Sequence, residues 1–250
     1  MLIKPVVLEV DSVIISGQLY LPGGKGQYPA VCVCHGIPAG IPVPGDGGYP
    51  VLAERICREG FAVFIFNFRG TGDSGGNLDM LGWTRDLKAA IDYLSTVAGV
   101  DKSCLSLLGF SGGAAVSVYV ASQDSRVSGI AACACPAEFT FFTGAEGPHS
   151  FVDHFRSIGA IRDADFPPSF EEWLDGFRMV SPIKYIARIA PRPLLLVHGN
   201  KDETVDIGHV HRMYNAAGEP KKMVIIDGAG HRLRQDNKAM AIVIDWLKSQ

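Results

Sequence analysis

The sequence predicts an α/β chain built on a doubly wound, mostly parallel sheet of about eight strands, with a small inserted cap. Three observations point there. Six short runs, AVCVCHG (30–36), FAVFIFNF (61–68), CLSLLGF (104–110), SGIAACAC (128–135), PLLLVHG (193–199) and KKMVIID (221–227), are almost continuously apolar. That is the pattern of parallel strands covered on both faces. Apolar residues between the runs recur at helical spacing, as in Trp83, Leu87, Ala90, Ile91 and Leu94, and again in Ala239, Ile242, Val243, Trp246 and Leu247. Ahead of the first run, VLEV and SVIISGQLYLP alternate and read as two opening strands joined near Asp11-Ser12. Strand–helix alternation of this kind places ligands in the crevice at the carboxyl ends of the strands.

Two segments interrupt the alternation. IPAGIPVPGDGG (37–48) is a Gly/Pro-rich loop directly after the first parallel strand. Residues 136–189 hold eight of the thirteen Phe, with Trp173 and Tyr185, so an inserted cap is expected there. Phe139, Phe141, Phe142, Phe151, Phe155 and Trp173 could line an apolar or aromatic pocket, or else form the cap's own core. With no repeat and no low-complexity tract, 1–250 reads as a single domain, a length at which one core can be buried without disulfides or structural metal.

Composition removes several classes of function. Lys+Arg 23 against Asp+Glu 26 leaves a net charge of −3, without the basic surface that nucleic-acid phosphate demands. No stretch reaches the roughly 20 apolar residues of a membrane span, and Glu9 and Asp11 interrupt what would be a signal-peptide core. The pairs Cys32/Cys34 and Cys133/Cys135 lie inside apolar runs and lack C-x₂-C zinc spacing, so they read as buried, reduced thiols in strands. The expectation is a cytoplasmic protein acting on a small molecule, with no metal and no organic cofactor; a homodimer stays open.

The chemistry concentrates at three strand ends. Gly109-Phe110-Ser111-Gly112-Gly113 falls between a strand and the small-residue helix AAVSVYVA. At such a turn a serine sits in a strained conformation, tolerated when its neighbours are small, and its hydroxyl projects above the sheet. A serine needs a base, and the base needs an orienting carboxylate. Of seven His, His231 follows the last strand and is the candidate base. His35 and His198 end core strands in His-Gly pairs and read as structural, His209 and His211 belong to a surface helix, and His149 and His154 fall in the cap. Asp202, after PLLLVHG, is the candidate acid; Glu203, Asp206 and Asp227 compete, Asp227 reading as a loop holder. For the oxyanion, backbone N–H groups of Gly112 and Ile37 are expected, because Pro38 has none.

Gly70-Thr71-Gly72-Asp73-Ser74-Gly75 imitates a dinucleotide fingerprint. However, Asn77, Leu78 and Asp79 precede the helix, and Asp92 falls inside it, so the NAD reading fails.

Taken with His35-Gly36, Phe68-Arg69-Gly70-Thr71-Gly72-Asp73-Ser74 and Gly230-His231, these motifs resemble the α/β-hydrolase superfamily over nearly the whole chain. The order Ser111, Asp202, His231 is that of the superfamily. Length and wording are similar to compact esterases of the feruloyl-esterase and monoglyceride-lipase-like groups, and to catalytic domains of acylaminoacyl-type peptidases. Ser111 separates the chain from dienelactone hydrolases, which use cysteine, and haloalkane dehalogenases, which use aspartate. The resemblance implies acyl transfer through Ser111 on small or medium carboxylic esters. A small peptidase or amidase, and a cofactor-free acyltransferase or perhydrolase, are the alternatives. A non-catalytic binding protein of this fold would be expected to lack a triad member, and none is missing. The 37–48 loop departs from the pattern and bears on the second oxyanion donor. Arg232 and Arg234 beside His231 read as solvated.

Overall fold

A computed structural model of the chain describes residues 1–24, 26–38, 40, 46–139 and 148–250, with side chains at 148 and 149 excepted. Phe141 and Phe142, the His149 side chain and most of the Pro-rich half of the 37–48 loop therefore lie outside the described residues.

The eight strands are β1 (Leu2–Val10), β2 (Val13–Leu21), β3 (Tyr28–Cys34), β4 (Ala62–Phe66), β5 (Val100–Phe110), β6 (Val127–Cys133), β7 (Leu194–Gly199) and β8 (Lys221–Ile226). They form one sheet in the order β1-β2-β4-β3-β5-β6-β7-β8. β1 and β2 pair antiparallel, β2 is antiparallel to β4, and every later pairing is parallel. The opening hairpin closes with Val10 opposite Val13, and Asp11 and Ser12 both take positive φ, 52° and 64°. A two-residue hairpin of matching twist needs that geometry, and Asp tolerates it better than most residues.

Helices α1 (Gly48–Arg58), α2 (Met80–Thr96), α3 (Gly112–Ala121), α4 (Pro148–Ser157), α5 (Phe170–Met179), α6 (Gly208–Ala216) and α7 (Asn237–Lys248) complete the described elements, with short 3₁₀ turns between. Alternating side chains on each strand feed opposite layers. Val31 and Val33 pack with α1 and α7, whereas Cys32 and Cys34 pack with α2, α3 and the cap. The buried-thiol expectation is met for Cys32, Cys34 and Cys133 in strands; all six cysteines are free, Cys57 is buried in α1, and Cys104 is half-buried.

The decoy glycine run forms a turn that precedes α2 at a distance. Gly70 N–H donates to Gly75 O at 2.8 Å, and α2 begins only after Asp79, whose carboxylate caps Leu81 and Gly82 N–H. Arg69 pins this turn: its guanidinium reaches the fully buried Asp86 of α2 at 2.7 Å and Asp11 of the hairpin at 3.0 Å.

Four of the described rings between β6 and β7 turn inward. Phe139, Phe155, Trp173 and Phe177 are buried in the same core as α2 and α3, and Trp173 Nε1–H donates to Leu78 O at 2.8 Å. Arg162 and Asn77 tie segment 159–163 to the turn after β4.

Candidate active site

Ser111 links β5 to α3 with φ 50° and ψ −123°. For a non-glycine residue this backbone costs on the order of 1–3 kcal/mol and needs surroundings that enforce it. They do. Ser111 N–H donates to Cys133 O at 2.9 Å, fixing the turn to the end of β6. A Cβ at Gly109 would lie 2.5 Å from the Ala114 backbone, and one at Gly113 would collide with the His35 and Cys34 carbonyls. Glycine alone lets strand, turn and helix approach this closely.

Asp202 lies in the turn after β7 with its side chain fully buried. Its Oδ1 accepts the N–H groups of Thr204 and Val205, both at 2.9 Å, and Oδ2 lies 2.8 Å from His231 Nδ1. Burial works against its charge, but the bonds from His231, Val205 and Thr204 prevail and hold its pKa below the ordinary aspartate value. Two of the three competing acids are engaged elsewhere, and the third, Glu203, is exposed. Asp206 accepts Gly208 N–H at the start of α6, and Asp227 accepts Asn200 Nδ2, whose Oδ1 in turn holds Gly228 N–H. Asp227 is thus a loop holder.

His231, in the loop after β8, faces the same cavity as Ser111. The cavity measures about 340 Å³, and its walls include Gly36, Ile37, Tyr49, Thr71 and Arg234. Ile37 N lies beside the turn, 3.6 Å from where a Cβ on Gly112 would stand. Ser111, His231 and Ile37 therefore border one cavity, with the buried Asp202 carboxylate behind the imidazole and Gly112 beside Ile37. Such an arrangement can form and release an acyl group.

Both His-Gly histidines are held in hydrogen bonds where their strands end. His35 pairs Nδ1 with Gly36 O at 2.7 Å and accepts Phe68 N–H on Nε2 at 3.0 Å; burial lowers its pKa to about 4, against the opposing pull of the Gly36 carbonyl. His198 sits fully buried at the end of β7 with Nε2 2.8 Å from Val205 O. His209 departs from the surface reading: its Nδ1 accepts Ala137 N–H at 3.0 Å and anchors the start of the cap to α6.

The two readings of the aromatic rings resolve toward the core, and one further expectation, that of Arg234, needs correction. Among the described residues, the wall of the cavity takes no residue from the cap; Phe139, Phe155 and Trp173 are spent on the core beneath it. Arg234 is not solvated. Only 16% of its side chain is exposed, it forms a two-pronged ion pair with Asp46, and its guanidinium lies 4.8 Å from the centre of the Tyr49 ring. The Asp46–Arg234 pairing carries no sequence signal, because 188 positions separate its members.

Residues 52–250 match the model of the prolyl oligopeptidase family. The chain belongs to that family. Its sheet order and helices are those of the α/β-hydrolase fold, and it is a hydrolase of that type. This family member is 30% identical over 234 residues to the uncharacterized protein Rv2307c of Mycobacterium tuberculosis, covering 91% of this chain and 72% of the relative. In structure it is similar to the esterase domain of a Rhodothermus marinus protein, at TM-score 0.72 and 23% identity, covering 100% of this chain and 97% of the other. It is also similar to Est1E of Butyrivibrio proteoclasticus with bound ferulic acid, at TM-score 0.69 and 16% identity, covering 98% and 96%.

Proposed function

We propose that the chain is a serine hydrolase that cleaves carboxylic esters of small or medium, apolar or aromatic acyl groups through an acyl-enzyme on Ser111. The observation that carries this reading is the buried Asp202 carboxylate on Nδ1 of His231, in a cavity shared with the strained Ser111. With Nδ1–H donating to Asp202, the Nε2 lone pair of His231 is left to take the Ser111 proton. The hydroxyl oxygen attacks the ester carbonyl, and the oxyanion is received by the N–H groups of Gly112, at the start of α3, and Ile37, in the loop after β3. His231 returns the proton to the leaving alkoxide, and a water deprotonated by the same imidazole then releases the acid. The cavity's size is at the small end of ligand sites, which supports a modest acyl group. Ile37, Pro38, Phe110 and Leu233 give it apolar wall, which supports an uncharged one.

Family membership favours one second reading, a small peptidase or amidase, since the same triad serves both. A fluorophosphonate with peptide mapping tests the mechanism: Ser111 is labelled, Ser111→Ala is not, and His231→Ala is labelled far more slowly. Labelling at a different serine removes the mechanism. A p-nitrophenyl ester series set against aminoacyl anilides tests the substrate class, and faster turnover of anilides replaces the esterase reading with the amidase one.

A further inference from the structure

Among the buried titratable side chains that the mechanism leaves unused, His198 touches the acid of the triad. His198 ends β7 and is completely inaccessible. Its Nε2 is 2.8 Å from Val205 O and 3.4 Å from Asp202 Oδ2. Because a carbonyl can only accept, Nε2 carries the proton and Nδ1 is a bare acceptor. That Nδ1 has no hydrogen-bond partner, although it is buried. An apolar residue would fill the space without stranding a polar atom.

We infer that His198 is a positioning residue for the Asp202 carboxylate, an inference that rests on the triad reading above. Val205 is the link. Its N–H donates to Asp202 Oδ1, and its carbonyl is held by His198 Nε2–H, so the turn that presents the carboxylate is tied at both ends. Without that tie only Thr204 N–H and His231 remain on Asp202, and the carboxylate is free to rotate away from the imidazole. The same ring nitrogen lies 3.4 Å from Oδ2 with its N–H aimed at Val205 O, so the imidazole packs against the carboxylate that it helps to place. The titratable and charged groups around His198 are Asp202, His231, Asp206 and His209.

The test compares His198→Leu, which keeps bulk and loses the donor, with His198→Gln, whose amide N–H₂ reaches the Nε2 position. The readouts are the rate of fluorophosphonate labelling at Ser111 from pH 5 to 9, the His231 Nδ1–H proton resonance, and the melting temperature. His198→Leu is expected to label up to about 100-fold more slowly at neutral pH, the scale of an ångström's misplacement of a catalytic group. Its deficit narrows toward acid pH, because an imidazole with a poorer carboxylate partner is harder to protonate. The Nδ1–H resonance shifts or broadens, and His198→Gln restores most of the rate. If folded His198→Leu labels as fast as wild type, or if both variants lose rate equally at every pH in step with their melting temperatures, the role is only structural. If wild type does not label at Ser111, the triad reading fails first and takes this inference with it.

Discussion

Ser111 holds its unfavourable backbone because its neighbours leave it no alternative, and the same crowding brings Ile37 N close to Gly112. Of the two proposed amides, Gly112 N–H belongs to the turn itself, whereas Ile37 N–H is delivered by the loop after β3. Replacing Ile37 by proline removes that one donor. It is expected to lower kcat by about 10²–10³ with little change in KM, because the donor acts on charge present only in the transition state. Ile37→Ala keeps the N–H and is expected to keep most of kcat; an equal loss in both variants would mean that the side chain matters and the amide does not. At this scale the triad candidates are legible in sequence, since each lies a few positions beyond an apolar run that is readable as a strand. The Asp46–Arg234 pair is not legible. A charged loop residue looks the same in sequence whether water or a distant carboxylate receives it.

Elements differ in legibility for a physical reason. Strands β3 to β7 are buried on both faces, so their apolar runs are uninterrupted and their order and number can be read. The hairpin is readable from alternation and from Asp11-Ser12. The segment between β6 and β7 was readable as an aromatic interruption but not in the direction its rings face, because an aromatic ring that packs inward and one that lines a pocket leave the same mark in sequence. The structure places Phe155 against Trp173, with ring centres 6.0 Å apart, and Trp173 against Phe177 at 5.1 Å. Phe155→Leu therefore acts on packing. The expected result is a loss of about 1–3 kcal/mol in stability and an unchanged acyl-chain preference across p-nitrophenyl esters. A changed preference at unchanged stability would return the cap rings to the pocket wall.

For the whole molecule, His35 and His198, whose pKa values burial lowers, contribute to the response to acid. His35 joins β3 to the turn after β4 by accepting Phe68 N–H on Nε2, a bond that a proton on that nitrogen destroys. Its folded pKa, about 4 because of burial, lies below the value of about 6.5 in an unfolded chain. Between those two values the unfolded chain binds a proton that the folded chain refuses, so stability is full above the upper limit and falls as pH drops toward the lower one. At about 1.4 kcal/mol per unit, the window is worth roughly 3 kcal/mol. His198, also lowered by burial, contributes with the same sign. Asp202 and Asp46 are held below the ordinary aspartate value, Asp46 chiefly by Arg234. Their contributions therefore persist through this window and are lost only as pH falls below about 4. Acid destabilisation is thus expected in two stages, histidines first and carboxylates second. His35→Asn, which can keep a donor for Gly36 O but offers Phe68 N–H no ring acceptor, should be less stable at neutral pH and show a shallower fall between pH 6.5 and 4. Urea midpoints taken every half pH unit measure this directly. A slope identical to that of wild type would place the acid sensitivity elsewhere and would free the loop that delivers Ile37 N–H from any dependence on His35 protonation.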